Sequence, residues 1–152
     1  MERADTFARL PLWALVLLAG RAVRRAALTL PAVEQAPLLE GCDKLVEATL
    51  AGGLERGYRY QGGAGSVGLA LEAAVDAARA AEASLDFSAA ETACLNSTTR
   101  ALVYAAESAE TSLQAAIQVA SDVDQLRFAT DEFGTGRYDP LTPDVLARLT
   151  PT

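Results

Sequence analysis

The chain has 152 residues, with 13 basic and 20 acidic side chains for a net charge of −7, two cysteines and no histidine. That length allows one self-contained hydrophobic core, since a chain this size buries roughly 68–70% of its unfolded surface on folding. The missing histidine excludes Ser-His-Asp and Cys-His nucleophilic sites, His-ligated zinc or haem, the Glu-x-x-His di-iron pattern and imidazole acid–base catalysis.

Alanine is the commonest residue, with 32 copies, and it is the strongest helix former, whereas β-branched and aromatic residues favour strands. The expected fold is therefore all-α: a bundle of four to five main helices plus a short C-terminal helix, in a single domain over residues 1–152. Charge is unevenly placed. Residues 1–60 hold eight basic and seven acidic groups, net +1, and residues 61–152 hold five and thirteen, net −8. With one short basic cluster and no basic stripe to displace counterions from phosphate, nucleic acid is not an expected partner.

Residues 1–9 form a polar lead-in. The stretch Leu10–Leu30, LPLWALVLLAGRAVRRAALTL, is the segment the rest is expected to pack around. From Leu12 to Leu18 it is apolar on every side of a helix, as a central helix must be. After Gly20 the arginines Arg21, Arg24 and Arg25 interrupt it, while Val23, Ala26, Ala27 and Leu30 continue one apolar stripe. The uninterrupted apolar run is too short for a bilayer, so the expectation is no membrane and a cytoplasmic protein.

Pro37 predicts a second helix starting near Leu38, with Leu38, Cys42, Leu45, Val46, Thr49 and Leu50 inward and Gly52-Gly53 as its stop. Glu40, Asp43 and Glu47 make its outer face. Residues 54–65 read as a Gly-rich linker with a Tyr58-Arg59-Tyr60 patch. Gly63, Gly65 and Gly68 formally match G-x-G-x-x-G, but no buried strand precedes them, so a dinucleotide site is not expected.

Between Leu69 and Phe133 there is neither glycine nor proline, which predicts long helices. The third, about Ser66–Ser84, places Ala70, Ala74, Ala77, Ala78 and Ala81 on one side and Glu72, Asp76 and Arg79 on the other. Ser88 and Glu91 form an S-x-x-E capping box that starts a fourth helix at Ala89, antiparallel to the third. Leu95, Thr99, Leu102, Ala106, Ala109, Leu113, Ala116, Ala120 and Val123 then recur as a heptad seam. Interruptions are expected at Asn96–Thr99 and at Glu107–Thr111, leaving open whether one helix or two fill residues 89–129. Residues 130–142 read as a Gly/Pro loop, after which Thr142-Pro143 caps a short helix carrying Val145, Leu146 and Leu149, docked on its own bundle.

Cys42 and Cys94 sit in separate helical patterns and read as buried thiols. No cofactor and no metal are expected. The leading functional expectation is a non-catalytic helical interaction or assembly module, binding a protein partner or forming a homo-oligomer. Its candidate surface is Arg21, Arg24, Arg25, Tyr58, Arg59 and Tyr60, and the arginine edge of one copy is expected to meet the acidic half of another. The alternatives are a small-molecule-binding helical protein, with Trp13, Tyr58, Tyr60 and Tyr104 near a pocket, and a histidine-free enzyme using carboxylates or a cysteine.

Overall fold

The computed structural model describes residues 10–50, 53–61, 63, 65–82, 87–109, 112–133 and 142–149. They form α1 (Leu12–Ala27), α2 (Ala32–Thr49), α3 (Gly65–Glu82), α4 (Phe87–Ala109), α5 (Ser112–Phe133) and α6 (Pro143–Leu149), with no strand among the described residues. The fold is an all-α bundle with a short C-terminal helix. No helix among the described residues is long and apolar enough to cross a membrane.

α1 is the centre. Twelve of its 16 residues are buried, Trp13, Leu15 and Leu18 among them, and it packs against α2, α3, α4 and α5. At roughly 1.5–3 kcal/mol per large side chain buried, this helix carries the largest share of the hydrophobic driving force. One cluster of buried side chains draws on all six helices, from Leu12 to Val145. Pro11 stands just ahead of α1 rather than inside its first turn, and its carbonyl accepts from Ala14 and Leu15. The helix stops at Ala27, short of Leu30, where the Thr29 hydroxyl bonds to the Ala26 carbonyl at 2.7 Å.

α2 begins six residues earlier than Pro37 predicts. Pro31 precedes its first turn, and Pro37 lies within the helix. A proline there leaves the carbonyl four residues back, that of Val33, without its helical donor; Val33 is exposed, so water can serve it. The Gln35 amide then ties the corner by donating to the Leu30 carbonyl at 2.8 Å. Leu38, Cys42, Leu45 and Thr49 face inward with Gly41, while Val46 and Leu50 are half-buried. Gly41 matters because a Cβ there would sit 2.5 Å from Leu71 of α3 and 2.8 Å from the Tyr58 hydroxyl. Glycine lets α3 and the following segment close on α2.

That segment is pinned rather than a loose linker. Leu54 is buried and its amide donates to the Glu82 carboxylate, Arg79 donates to the Tyr58 carbonyl, and Lys44 pairs with Glu55 at 2.8 Å. Glu40, Asp43 and Glu47 are solvent-exposed, as their spacing predicts.

α3 and α4 make the most extensive helix pair. Only four residues separate them, spanning at most about 18 Å, whereas an 18-residue helix is about 27 Å long, so they run antiparallel. The α3 contribution is small side chains: Ala70, Ala73, Ala74, Ala77 and Ala78 are buried, while Glu72, Asp76 and Arg79 face solvent. α4 starts by Phe87, so Ser88 lies inside the helix instead of capping it; residues 83–86 lie outside the described residues.

The α4 seam is Ala90, Cys94, Ser97, Thr98, Ala101, Leu102 and Ala105; Leu102 belongs to the expected line, whose members Leu95, Thr99 and Ala106 are half-buried or exposed. Polar residues take inner positions because they are satisfied there: the Thr98 hydroxyl donates to the Leu15 carbonyl of α1 at 3.3 Å. Asn96–Thr99 therefore does not interrupt α4. One described helix ends at Ala109 and the next begins at Ser112; residues 110–111, within the second expected interruption, lie outside the described residues. α5 docks through Asp122, Val123, Leu126 and Ala129, and Ala120 of the expected seam is exposed. α6 packs on α5 with Val145 buried, and the Thr142 hydroxyl accepts from the Val145 amide at 3.3 Å. Residues 1–9 and 134–141, with the lead-in and most of the Gly/Pro loop, lie outside the described residues.

Candidate functional site

The arginines of α1 come to lie against α5. Arg21 and Arg25 are four residues apart and so share one helix face, and α5 crosses that face at Asp122. Arg25 Nη1 reaches Asp122 Oδ2 at 2.6 Å, and Arg21 Nη1 reaches Asp122 Oδ1 at 3.2 Å and Gln125 Oε1 at 2.8 Å. Asp122 is buried, as is most of Arg21. Such charges are costly to bury unless paired, and here one carboxylate serves two guanidinium groups. The meeting of basic edge and acidic half expected between copies thus occurs within the chain at these three residues. Asp122 is no part of α5's wet side.

Arg24 points the other way along the cluster. Its Nη1 lies 3.7 Å from Asp43 Oδ1 of α2, and the two side chains are 47% and 74% exposed, an arrangement worth little to stability. Arg24 and Arg25 occupy the last turn of α1, where positive charge complements the carbonyl end of the helix dipole.

Between α1 and α5 lies a half-open cleft of about 240 Å³ lined by Arg21, Arg24, Arg25, Leu28, Gln118, Ser121, Asp122 and Gln125. Among the described residues its wall carries three guanidinium groups and one carboxylate, together with two side-chain amides and a hydroxyl.

Tyr58, Arg59 and Tyr60 are placed elsewhere, against α2 and α3, and none of them lines this cleft. Tyr58 is half-buried with its hydroxyl at Gly41, and burial pushes its phenol up from 10.0, with Glu40 adding to the effect. Tyr60 donates to the Gly63 carbonyl at 3.1 Å, and burial, then Glu72 and Glu34, raise its phenol. Arg59 is exposed. The six candidate surface residues therefore divide into two separate places. Trp13 is a core residue whose buried indole N–H has no partner among the described residues, and neither it nor Tyr104 lines the cleft.

Both cysteines are free and buried. Burial pushes each thiol up to about 12, against smaller lowering effects of Arg24 on Cys42 and of the Thr98 hydrogen bond on Cys94. A nucleophilic cysteine requires the opposite shift, so both are inert as thiolates near neutrality. Among the described residues no three His, Cys, Asp or Glu side chains converge as metal ligands do.

Sequence reasoning missed the outer face of α5. Gln114, Ile117, Ser121, Asp124, Phe128 and Asp131 recur at alternating spacings of three and four and all are exposed, Ile117 at 57% and Phe128 at 68%. Ile117 precedes the fully buried Leu126 by nine residues, about two and a half turns, which puts it on the opposite side of the helix. No protein-family model matches the chain, and no curated protein and no solved structure matches it.

Proposed function

We infer that this protein is a non-catalytic helical interaction module that assembles with a second copy through the outer face of α5. The observation that carries the reading is the pair Ile117 and Phe128, large apolar side chains left in solvent on a helix whose other face is already docked. Apolar side chains on an exposed helix face at heptad spacing are what helix-to-helix association uses.

The spacing favours a two-fold partner. In an antiparallel pairing centred between Asp122 and Val123, Ile117 meets Phe128 of the second copy, and the same contact repeats by symmetry. Asp124 then faces Ser121 and Asp131 faces Gln114, so no two carboxylates oppose each other directly. The net −8 of residues 61–152 opposes close approach of two copies at long range. Salt screens that repulsion, so association tightens with ionic strength.

The test is molar mass by size-exclusion chromatography with light scattering over a range of protein concentrations, at low and high salt, for the native chain and for Phe128→Asp. The expected result is a dimer favoured by high salt that Phe128→Asp returns to monomer. A native chain monomeric throughout, or a dimer indifferent to Phe128→Asp, overturns the reading.

A further inference from the structure

We propose that α5 and α6 form a releasable arm, which undocks from α1 as one unit while α1–α4 stay folded. Buried side chains are shared unequally between the two parts. α1 buries twelve residues, α2 five and α3 nine, and α3 with α4 makes the most extensive helix pair. Among the described residues, α5 and α6 reach the common hydrophobic core with Val123, Leu126, Ala129 and Val145. α5 meets the rest along α1, with a slighter contact to α4. Release of the arm therefore opens one side of α1, which α2, α3 and α4 still enclose on the others.

The junction is polar at its centre, where Asp122 meets Arg21 and Arg25. A buried ion pair gains little beyond the hydration that its charges give up, so this contact fixes where α5 sits more than how tightly it is held. Undocking returns Asp122 to water beside a cleft that is already half-open. Removing the carboxylate from the docked state is a different matter, since the two guanidinium groups then face a neutral side chain there, and the balance moves toward release.

α5 and α6 also depend on each other. α6 has seven residues, too few for a helix to persist alone in water, and it packs on α5 with Val145 buried and Leu146 half-buried. α5 in turn loses its apolar support when it leaves α1, so both helices become marginal together and their amides exchange in the same opening. Docked, α5 hides Val123, Leu126 and Ala129 and shows Ile117 and Phe128; released, it shows both sets. The arm thus switches the apolar surface of α5 within one copy and does not rest on assembly.

The experiment is native-state hydrogen–deuterium exchange of the intact chain, read by NMR at each amide in urea below the unfolding transition, at a concentration where the molar mass no longer falls on dilution. The expected result is one opening shared by interior amides of α5 and the hydrogen-bonded amides of α6. That opening is at least about tenfold more frequent than the one that exposes the slowest amides of α1 and α3, and its urea dependence is smaller because it uncovers less surface. Gly41→Ala, which disturbs α2 against α3, speeds exchange in α1–α3 and leaves the arm unchanged, whereas Asp122→Asn makes the arm open at least about tenfold more often. A single opening shared by all six helices, separate openings for α5 and α6, arm exchange that follows Gly41→Ala, or an arm indifferent to Asp122→Asn overturns the proposal.

Discussion

Replacing Asp122 by Asn tests the junction that holds α5 on the bundle. The change keeps the shape of the side chain but leaves two guanidinium groups facing a neutral amide. Breaking a fully buried ion pair from one side costs about 3–5 kcal/mol, because the remaining charge stays buried and uncompensated. Arg21 and Asp122 approach that limit, with side chains 10% and 9% exposed, but Arg25 is 26% exposed and the cleft admits water. The discounted cost is about 2–3 kcal/mol, a large part of the ~5–15 kcal/mol that stabilises a typical domain. With a urea m-value of about 1–3 kcal/mol/M, the unfolding midpoint falls by about 1 M. Far-UV circular dichroism reports the helices, and Trp13, the one tryptophan, reports the core. A double-mutant cycle with Arg25→Met should return a coupling of about 1–2 kcal/mol. A loss below about 0.5 kcal/mol, the range of exposed pairs such as Arg24–Asp43, or strict additivity in the cycle, would refute the claim that this carboxylate compensates buried charge.

Two glycines in helices should respond in opposite directions. At Gly20 a Cβ meets only Leu45 at 3.6 Å, so Gly20→Ala should gain about 0.5–1 kcal/mol from helix propensity. Gly41→Ala drives a Cβ into the side-chain ends of Leu71, which is fully buried, and Tyr58; overpacking of about 1–3 kcal/mol outweighs the same propensity gain, for a net loss of about 0.5–2 kcal/mol; thermal denaturation of both variants checks the pair, and equal shifts would contradict the packing described. The cysteines give a pH dependence. Their thiols ionise near 9.0 when exposed and about 12 when folded, so the folded state holds its protons more tightly. Their contribution to stability is complete below pH 9 and is lost as pH rises from there toward 12. Urea midpoints across that range should fall with pH, and fall less in Cys42→Ala and Cys94→Ala. A thiol-specific reagent at pH 8 should label both cysteines only as fast as the chain opens, and rapid labelling of the native protein would contradict their burial.

Much of the fold was legible in the sequence, for physical reasons that also explain where reading failed. α1 was clear because a helix apolar on every side has only one place to go, and α3 because alanines and charges divide its surface. Pro37 predicts a helix start at Leu38, but Pro31 already occupies that place and α2 tolerates Pro37 with its orphaned carbonyl at exposed Val33. Of the α4 seam the expected line holds Leu102 and misses Cys94, Ser97 and Thr98, because small and polar residues carry no apolar signal, though Thr98 finds its acceptor on α1. The arginine cluster was visible, but its partner was not. Asp122 lies 97 and 101 residues from Arg25 and Arg21, and no local pattern distinguishes it from Asp124 two positions on. On α5 the expected seam holds at Val123, which is buried, and fails at Ala120, which is exposed; it passes over Ile117 and Phe128, which share the outer face.

Assembly through α5 is the central claim, and hydrogen–deuterium exchange of the intact chain, compared between dilute and concentrated solutions at high salt, tests it most directly. The account predicts slower exchange at high concentration for amides of residues 114–131, with the α2 and α3 amides unchanged. Protection that appears instead on α2 or α3, or no dependence on concentration anywhere, would contradict it.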